Sequence, residues 1–161
     1  MPTITTKFKF ICFYLAFQLF HSESIYSQWK RLPIPTAASA YAFAQDSLTF
    51  YTRTSAGVYK SDDKGTTWQK AGLEEQLITE VFVTVKGTLL AGTYRAGMFR
   101  SENDGQNWQS VGFKDNVYLY KILQTETGTL LATATFVRDG ADTNNTLVGV
   151  VVSTDDGKSW R

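Results

Sequence analysis

One octapeptide occurs three times in this chain: Ser61–Trp68 (SDDKGTTW), Ser101–Trp108 (SENDGQNW) and Ser153–Trp160 (STDDGKSW). Every copy has Ser at position 1, Gly at position 5 and Trp at position 8, and position 3 is Asp63, Asn103 or Asp155. A repeat this regular confines the chain to architectures built from copies of one small unit. The flanks repeat in the same order. A short apolar stretch precedes each copy, at Gly57–Lys60, Gly97–Arg100 and Gly149–Val152. After the first two comes Trp-x-x-apolar-Gly-apolar, at Trp68–Leu73 and Trp108–Phe113, and Trp29–Ile34 has that form without an octapeptide of its own. Upstream stand two more strand-like runs per unit: Ala40–Ala44 and Leu48–Thr52, Thr79–Val85 and Thr88–Thr93, Val117–Gln124 and Thr129–Ala134. Turn residues part them, so each unit reads as four short strands.

Successive octapeptides begin 40 and 52 residues apart. Four-stranded antiparallel units at such spacing predict the blades of a β-propeller. Continuous apolar runs such as those within Thr79–Val85 and Val117–Gln124 predict strands covered on both faces. The expectation is an all-β chain holding about three blades, at 39–73, 78–113 and 117–161, within a propeller portion spanning 28–161. Trp29–Ile34 is then an orphan outer strand. Arg161 follows directly on Trp160, so the remaining blades are expected from sequence beyond it.

The octapeptide closely resembles the Asp-box, S-x-D-x-G-x-T-W, also called the bacterial neuraminidase repeat, and the resemblance covers 28–161. It implies membership of the Asp-box propeller superfamily, which includes sialidases, xyloglucan-active glycosidases, sortilin-type receptor domains and photosystem II assembly factors. The residues of the motif suit a tight hairpin. Gly65, Gly105 and Gly157 supply a backbone conformation other residues resist. Asp63, Asn103 and Asp155 can accept hydrogen bonds from loop amides, and Trp68, Trp108 and Trp160 can bury a large area. Ser61, Ser101 and Ser153 complete a structural element that, in the family, lies on the face opposite the active site. No calcium loop is spelled by these acids, because the oxygen-ligand series of such a loop is missing.

Residues 1–27 read as an export signal. Lys7 and Lys9 precede the apolar run Phe10–Phe20, which is too short to span a membrane, and small residues follow, with cleavage after Ser24 or Ser27. The only His and the only Cys of the chain, His21 and Cys12, lie inside this segment. Cleavage after Ser27 leaves 14 basic and 14 acidic residues, a charge balance that offers nothing to nucleic acid. The mature chain then has no disulfide, no Cys or His ligand for zinc, no His-dependent catalytic triad, and no span through a membrane. No metal or cofactor is implied. The place expected is the periplasm, the cell surface or the extracellular space.

In this architecture, function belongs to the loops between second and third strands and to the links between blades. Arg53, Arg95 and Arg138 each follow the second strand of their unit, and an arginine can hold a carboxylate or sugar acid bidentately. Tyr94 stands beside Arg95. The third unit is 12 residues longer than the second. The excess falls at Phe136–Leu147 and brings Asp139 and Asp142 together with Arg138 as candidate contacts. Sialidases bind their substrate with three arginines, and Arg31-Leu32-Pro33 is similar to a sialidase motif. The alignment of Trp29–Ile34 with the other outer strands explains it as a strand. A glycosidase needs two carboxylates at a set separation, and no such pair is marked by spacing. The chain therefore reads as an exported, non-enzymatic module for a glycan, peptide or protein ligand. The alternative is the front part of a secreted glycoside hydrolase, sialidase-like or xyloglucanase-like.

Overall fold

The computed structural model describes residues 33, 40–43, 49–113, 117–137 and 146–161. Residues 1–27, expected to be an export signal, the Trp29–Ile34 stretch apart from Pro33, and Arg138, Asp139 and Asp142 lie outside the described residues. The elements, in chain order, are β1 (Ala40–Phe43), β2 (Phe50–Thr54), β3 (Gly57–Ser61), β4 (Gln69–Lys70), β5 (Ile78–Val83), β6 (Leu89–Thr93), β7 (Met98–Ser101), β8 (Gln109–Ser110), β9 (Val117–Gln124), β10 (Leu130–Val137) and β11 (Thr146–Ser153). They form three antiparallel sheets, ordered β1-β2-β3-β4, β5-β6-β7-β8 and β11-β10-β9. Each octapeptide follows the third strand of its sheet. The chain is all-β among the described residues, a partial β-propeller of about three units.

The sheets pack face to face in chain order, and the period-two alternation of β6 shows how. Leu89 and Ala91 point toward the first sheet and share a core with Tyr51, Val58 and Ala71. Leu90 points the other way and joins Met98 in a second core with Leu119, Ile122, Leu130, Ala132 and Val151 of the third sheet. All five residues of β6 are buried, as a strand covered on both faces requires.

The inner strands meet the sequence expectation unequally. β5 packs Phe82 against one core and Val81 and Val83 against the other, whereas Tyr120, Lys121 and Leu123 of β9 are exposed. The alternation is also broken once in each by a bulge, at Thr79 opposite Thr93/Gly92 and at Tyr120 opposite Ala134/Thr133. One extra residue moves the side-chain phase by one. Val117 and Leu119 before the bulge therefore face the same core as Ile122 after it.

The turns between first and second strands repeat too. Thr84-x-x-Gly87-Thr88 and Thr125-x-x-Gly128-Thr129 close identically, with Gly87 N and Gly128 N each donating 2.9 Å to the first threonine's carbonyl. The Thr84 and Thr125 hydroxyls accept from Thr88 N and Thr129 N at 3.2 and 3.0 Å.

The long segment of the third unit is not a polar loop throughout. β10 and β11 stay paired out to Val137↔Thr146, so Phe136 and Leu147 belong to a lengthened hairpin and only 138–145 connect its arms. Residues with high β-propensity at both ends of the insertion extend the ladder, because each added rung satisfies two more backbone groups.

Candidate functional site

The three octapeptide turns share one hydrogen-bond circuit, complete in the first and third. In the first, the Ser61 hydroxyl accepts from Gly65 N at 2.7 Å and donates to Asp63 Oδ1 at 2.8 Å. Asp63 then accepts from Thr67 N at 2.8 Å and from the Thr67 hydroxyl at 2.7 Å. Ser153, Asp155 and Ser159 repeat this in the third turn. These donors pull the Asp63 carboxyl down to about 2, chiefly through the Thr67 amide, and hold Asp155 far below the ordinary carboxylate range, chiefly through the Ser159 hydroxyl. In the second turn Asn103 takes the same place with one acceptor oxygen, used by Asn107 N and Ser101 Oγ. Position 7 is Asn107 there, without the hydroxyl that a second carboxylate oxygen would receive. Positions 4 and 5 are left-handed in every turn: Lys64 and Gly65, Asp104 and Gly105, Asp156 and Gly157.

Position 4 is where one unit grips the one before it. Asp104 of the second turn accepts from Tyr51 Oη and Lys60 Nζ of the first sheet, both at 3.1 Å. Asp156 of the third turn accepts from Thr88 Oγ1 at 2.6 Å and Arg100 Nη2 at 3.2 Å in the second sheet. Lys60 and Arg100 each stand immediately before the octapeptide serine, and each also pairs with position 2 of its own turn, Asp62 at 2.9 Å and Glu102 at 2.7 Å. Arg100 is buried, as is Asp156, whose Oδ1 has no hydrogen-bond partner among the described residues. Lys86, Glu102, Asp155 and Lys158 line an open cleft of about 520 Å³ around this latch. The tryptophans differ in a related way. Trp68 and Trp160 donate Nε1 to the carbonyl of their own turn glycine at 3.1 and 3.2 Å, whereas Trp108 donates to Ala71 O of the preceding sheet at 2.7 Å.

The opposite ends of the sheets carry a second cluster, which sequence reasoning had located only in part. The turn after β6 puts Arg95 at φ +79°, and its amide donates to Val117 O at 3.2 Å in the next sheet. Arg95 Nε donates to Tyr118 Oη at 3.1 Å, its guanidinium carbon lies 5.3 Å from the Tyr94 ring centroid, and the rings of Tyr94 and Tyr118 stand 4.4 Å apart. The hydrogen bond from Arg95 lowers the Tyr118 phenol, and that of Tyr94 is raised, chiefly by its contact with Tyr118. Leu77, Tyr94 and Tyr120 are exposed. Because Nε is committed to Tyr118, the guanidinium has its two terminal nitrogens for a ligand. The arrangement suits a carboxylate or a sugar hydroxyl pair with a ring or apolar body beside it.

Arg53 does not join this cluster. Its Nη1 donates to Ile78 O of the second sheet at 2.9 Å, while its Nε is buried without a partner among the described residues. Tyr118 was missed in the sequence because it sits in an inner strand of unremarkable pattern. The latch had a visible signal: cations at Lys60 and Arg100 before the serines, and acids at Asp104 and Asp156 in the turns that follow. Among the described residues no helix is long and apolar enough to cross a membrane.

No protein-family profile matches the chain, and no curated protein does. Its fold is similar to solved β-propellers. The GH74 enzyme of Niastella koreensis superposes with a TM-score of 0.56 at 18% identity, over 78% of this chain and 22% of that one. The GH74 xyloglucanase of Xanthomonas campestris gives 0.57 at 16% identity, over 76% and 22%. A putative TolB from Agrobacterium tumefaciens gives 0.59 at 14% identity, over 80% and 48%. The chain thus spans about a fifth of the two GH74 proteins and about half of the third. Likeness at these identities shows the fold, and the fold hosts many chemistries.

Proposed function

We propose that the protein is an exported Asp-box propeller, led out by 1–27, that works as a non-enzymatic binding module for a glycan or polypeptide ligand. The ligand seat is the hairpin face around Tyr94, Arg95 and Tyr118. Arg138, Asp139 and Asp142 are further candidate contacts, whereas Arg53 is held by Ile78 O. The observation that carries this reading is the Arg95 guanidinium, anchored on Tyr118 through Nε and bordered by an exposed aromatic ring. The octapeptide turns serve architecture, since their polar groups are spent on one another.

Binding of the purified protein to arrays of acidic and neutral glycans and of peptides tests it. Arg95→Ala is expected to remove binding that Arg95→Lys weakens. An Arg95→Ala protein with full binding refutes the seat. The second reading is part of a glycoside hydrolase of sialidase or xyloglucanase type, with which the likeness to the two GH74 structures is consistent at the level of fold alone. Turnover of a fluorogenic sialoside or of xyloglucan by the protein would establish it over the first.

A further inference from the structure

Tyr94 and Tyr118 come from different sheets, and the backbone on both sides keeps them together. Tyr94 stands on the turn after β6, and its amide donates to Leu77 O at 2.8 Å. It pairs with Tyr118 in an isolated antiparallel bridge, and the neighbouring Arg95 amide donates to Val117 O at 3.2 Å. Residues directly opposite in such a bridge hold their Cβ atoms about 4.5–5.5 Å apart. The ring centroids lie 4.4 Å apart at an interplanar angle of 48°. Arg95 Nε anchors the Tyr118 hydroxyl at 3.1 Å, and the Tyr94 phenol is raised chiefly by its own hydrogen-bonding contact with Tyr118. The two hydroxyl ends therefore lie together. The carbons ortho to each hydroxyl are close neighbours of those ends, so they are brought together too.

A tyrosine that loses one electron and its phenolic proton becomes a phenoxyl radical, with unpaired density on the oxygen and on the ortho carbons. Two such radicals on touching rings couple between ortho carbons. A C–C bond forms, each bonded carbon gives up its hydrogen as a proton, and each phenol oxygen takes one proton back. The pair has then lost two electrons and two protons, which reduce one hydrogen peroxide to two waters. Tyr94 is 45% exposed, so an oxidant reaches it, and Tyr118 is half-buried beside it. The sequence has a single Cys, Cys12, so no disulfide within it ties one unit to another.

We propose that Tyr94 and Tyr118 form a modification site, at which one-electron oxidation driven by peroxide joins the two rings as an intramolecular dityrosine. The link ties the second sheet to the third at the end opposite the latch of Asp156 on Arg100. Because the bridge holds both rings in place, coupling within the chain outruns coupling between chains. Tyr120, more exposed at 53%, lacks the bridge to Tyr94 and serves as the control. The site requires no ligand on Arg95, so it stands or falls separately from the binding seat.

The full chain is treated with hydrogen peroxide and a haem peroxidase, then digested with trypsin. Peptides 87–95 and 115–121 should appear joined, lighter than their sum by two hydrogen atoms and carrying dityrosine fluorescence. Diluting the protein about tenfold before oxidation should leave the yield per chain unchanged. Tyr94→Phe and Tyr118→Phe should each lower that yield by about tenfold or more. Tyr120→Phe removes the other tyrosine of peptide 115–121 and should leave it unchanged. Phenylalanine keeps each ring, and the mapping and dilution use the unaltered protein, so a variant that fails to fold does not decide the matter. Absence of the joined peptides would overturn the proposal. So would their survival in Tyr94→Phe, their loss in a folded Tyr120→Phe protein, or a yield that falls in proportion to concentration.

Discussion

Replacing Asp156 should reveal how the second and third sheets are held together. Its carboxylate meets Arg100 in a buried setting, with side-chain exposures of 5% and 9%. Removing one partner of a buried pair costs about 3–5 kcal/mol. Arg100 would keep Glu102 at 2.7 Å and the Asp156 carbonyl at 2.9 Å, so the low end applies, about 3 kcal/mol. Alanine at this position also bears the left-handed backbone, φ +60°, at a further cost of about 1–2 kcal/mol. Asp104→Ala is the internal control. It has φ +57°, and so the same backbone cost, but its pair with Lys60 is 55% exposed on the acid side. A pair that exposed contributes about 0–1 kcal/mol. Urea unfolding followed by tryptophan fluorescence should therefore place Asp156→Ala about 2–3 kcal/mol below Asp104→Ala. Asp156→Asn, which tolerates the left-handed conformation, should fall between them. Asp156→Ala and Asp104→Ala within about 0.5 kcal/mol of each other, a spacing ordinary surface substitutions show, would refute the burial reasoning.

Three other outcomes follow from the same geometry. Asp63 has a depressed folded-state pKa of about 2, so the stability it contributes is present above the ordinary carboxylate value of about 3.8 and is lost as pH falls toward 2. Protection of the Thr67 amide, its exchange compared with an unstructured amide at the same pH, should fall across that window; Asp63→Asn should abolish the dependence, and the Asn107 amide should show no corresponding change. Gly87 and Gly105 share φ +83°, but a methyl group at Gly87 meets nothing within 4 Å, whereas one at Gly105 would lie 2.5 Å from Ala71 O. Gly87→Ala should cost about 1 kcal/mol, and Gly105→Ala at least about 2 kcal/mol more, in the same urea assay. Arg95→Ala should raise the Tyr118 phenol toward the ordinary tyrosine value, visible in ultraviolet titration of a Tyr94→Phe background, and no change would mean that Arg95 does not rest on Tyr118.

The repeat made much of the fold legible because its residues act locally. Ser61, Asp63, Gly65 and Thr67 close a circuit within seven residues, so their spacing alone reports the turn. The pairing of Asp63 with Thr67 and Asp155 with Ser159 is likewise local, since two carboxylate oxygens at position 3 meet an amide and a hydroxyl at position 7. The strand order within each sheet follows from hairpin connections. The candidate site was legible in place but not in membership. Tyr94 and Arg95 sit on the turn that the strand pattern marks, whereas Tyr118 reaches them from another sheet. Arg53 follows an equivalent strand and is drawn to Ile78 instead.

Local chemistry in the sequence determined the turns, the short strands and their repetition, since each depends on residues a few positions apart. Only the tertiary structure decided which polar groups cross between units. The grip of Asp156 on Arg100 spans 56 positions and that of Asp104 on Lys60 spans 44. The bulges at Thr79 and Tyr120, and the reach of β10 and β11 past their neighbours, are decided in the same way. They answer to how sheets fit against one another, and packing between distant segments leaves no periodic trace along the chain.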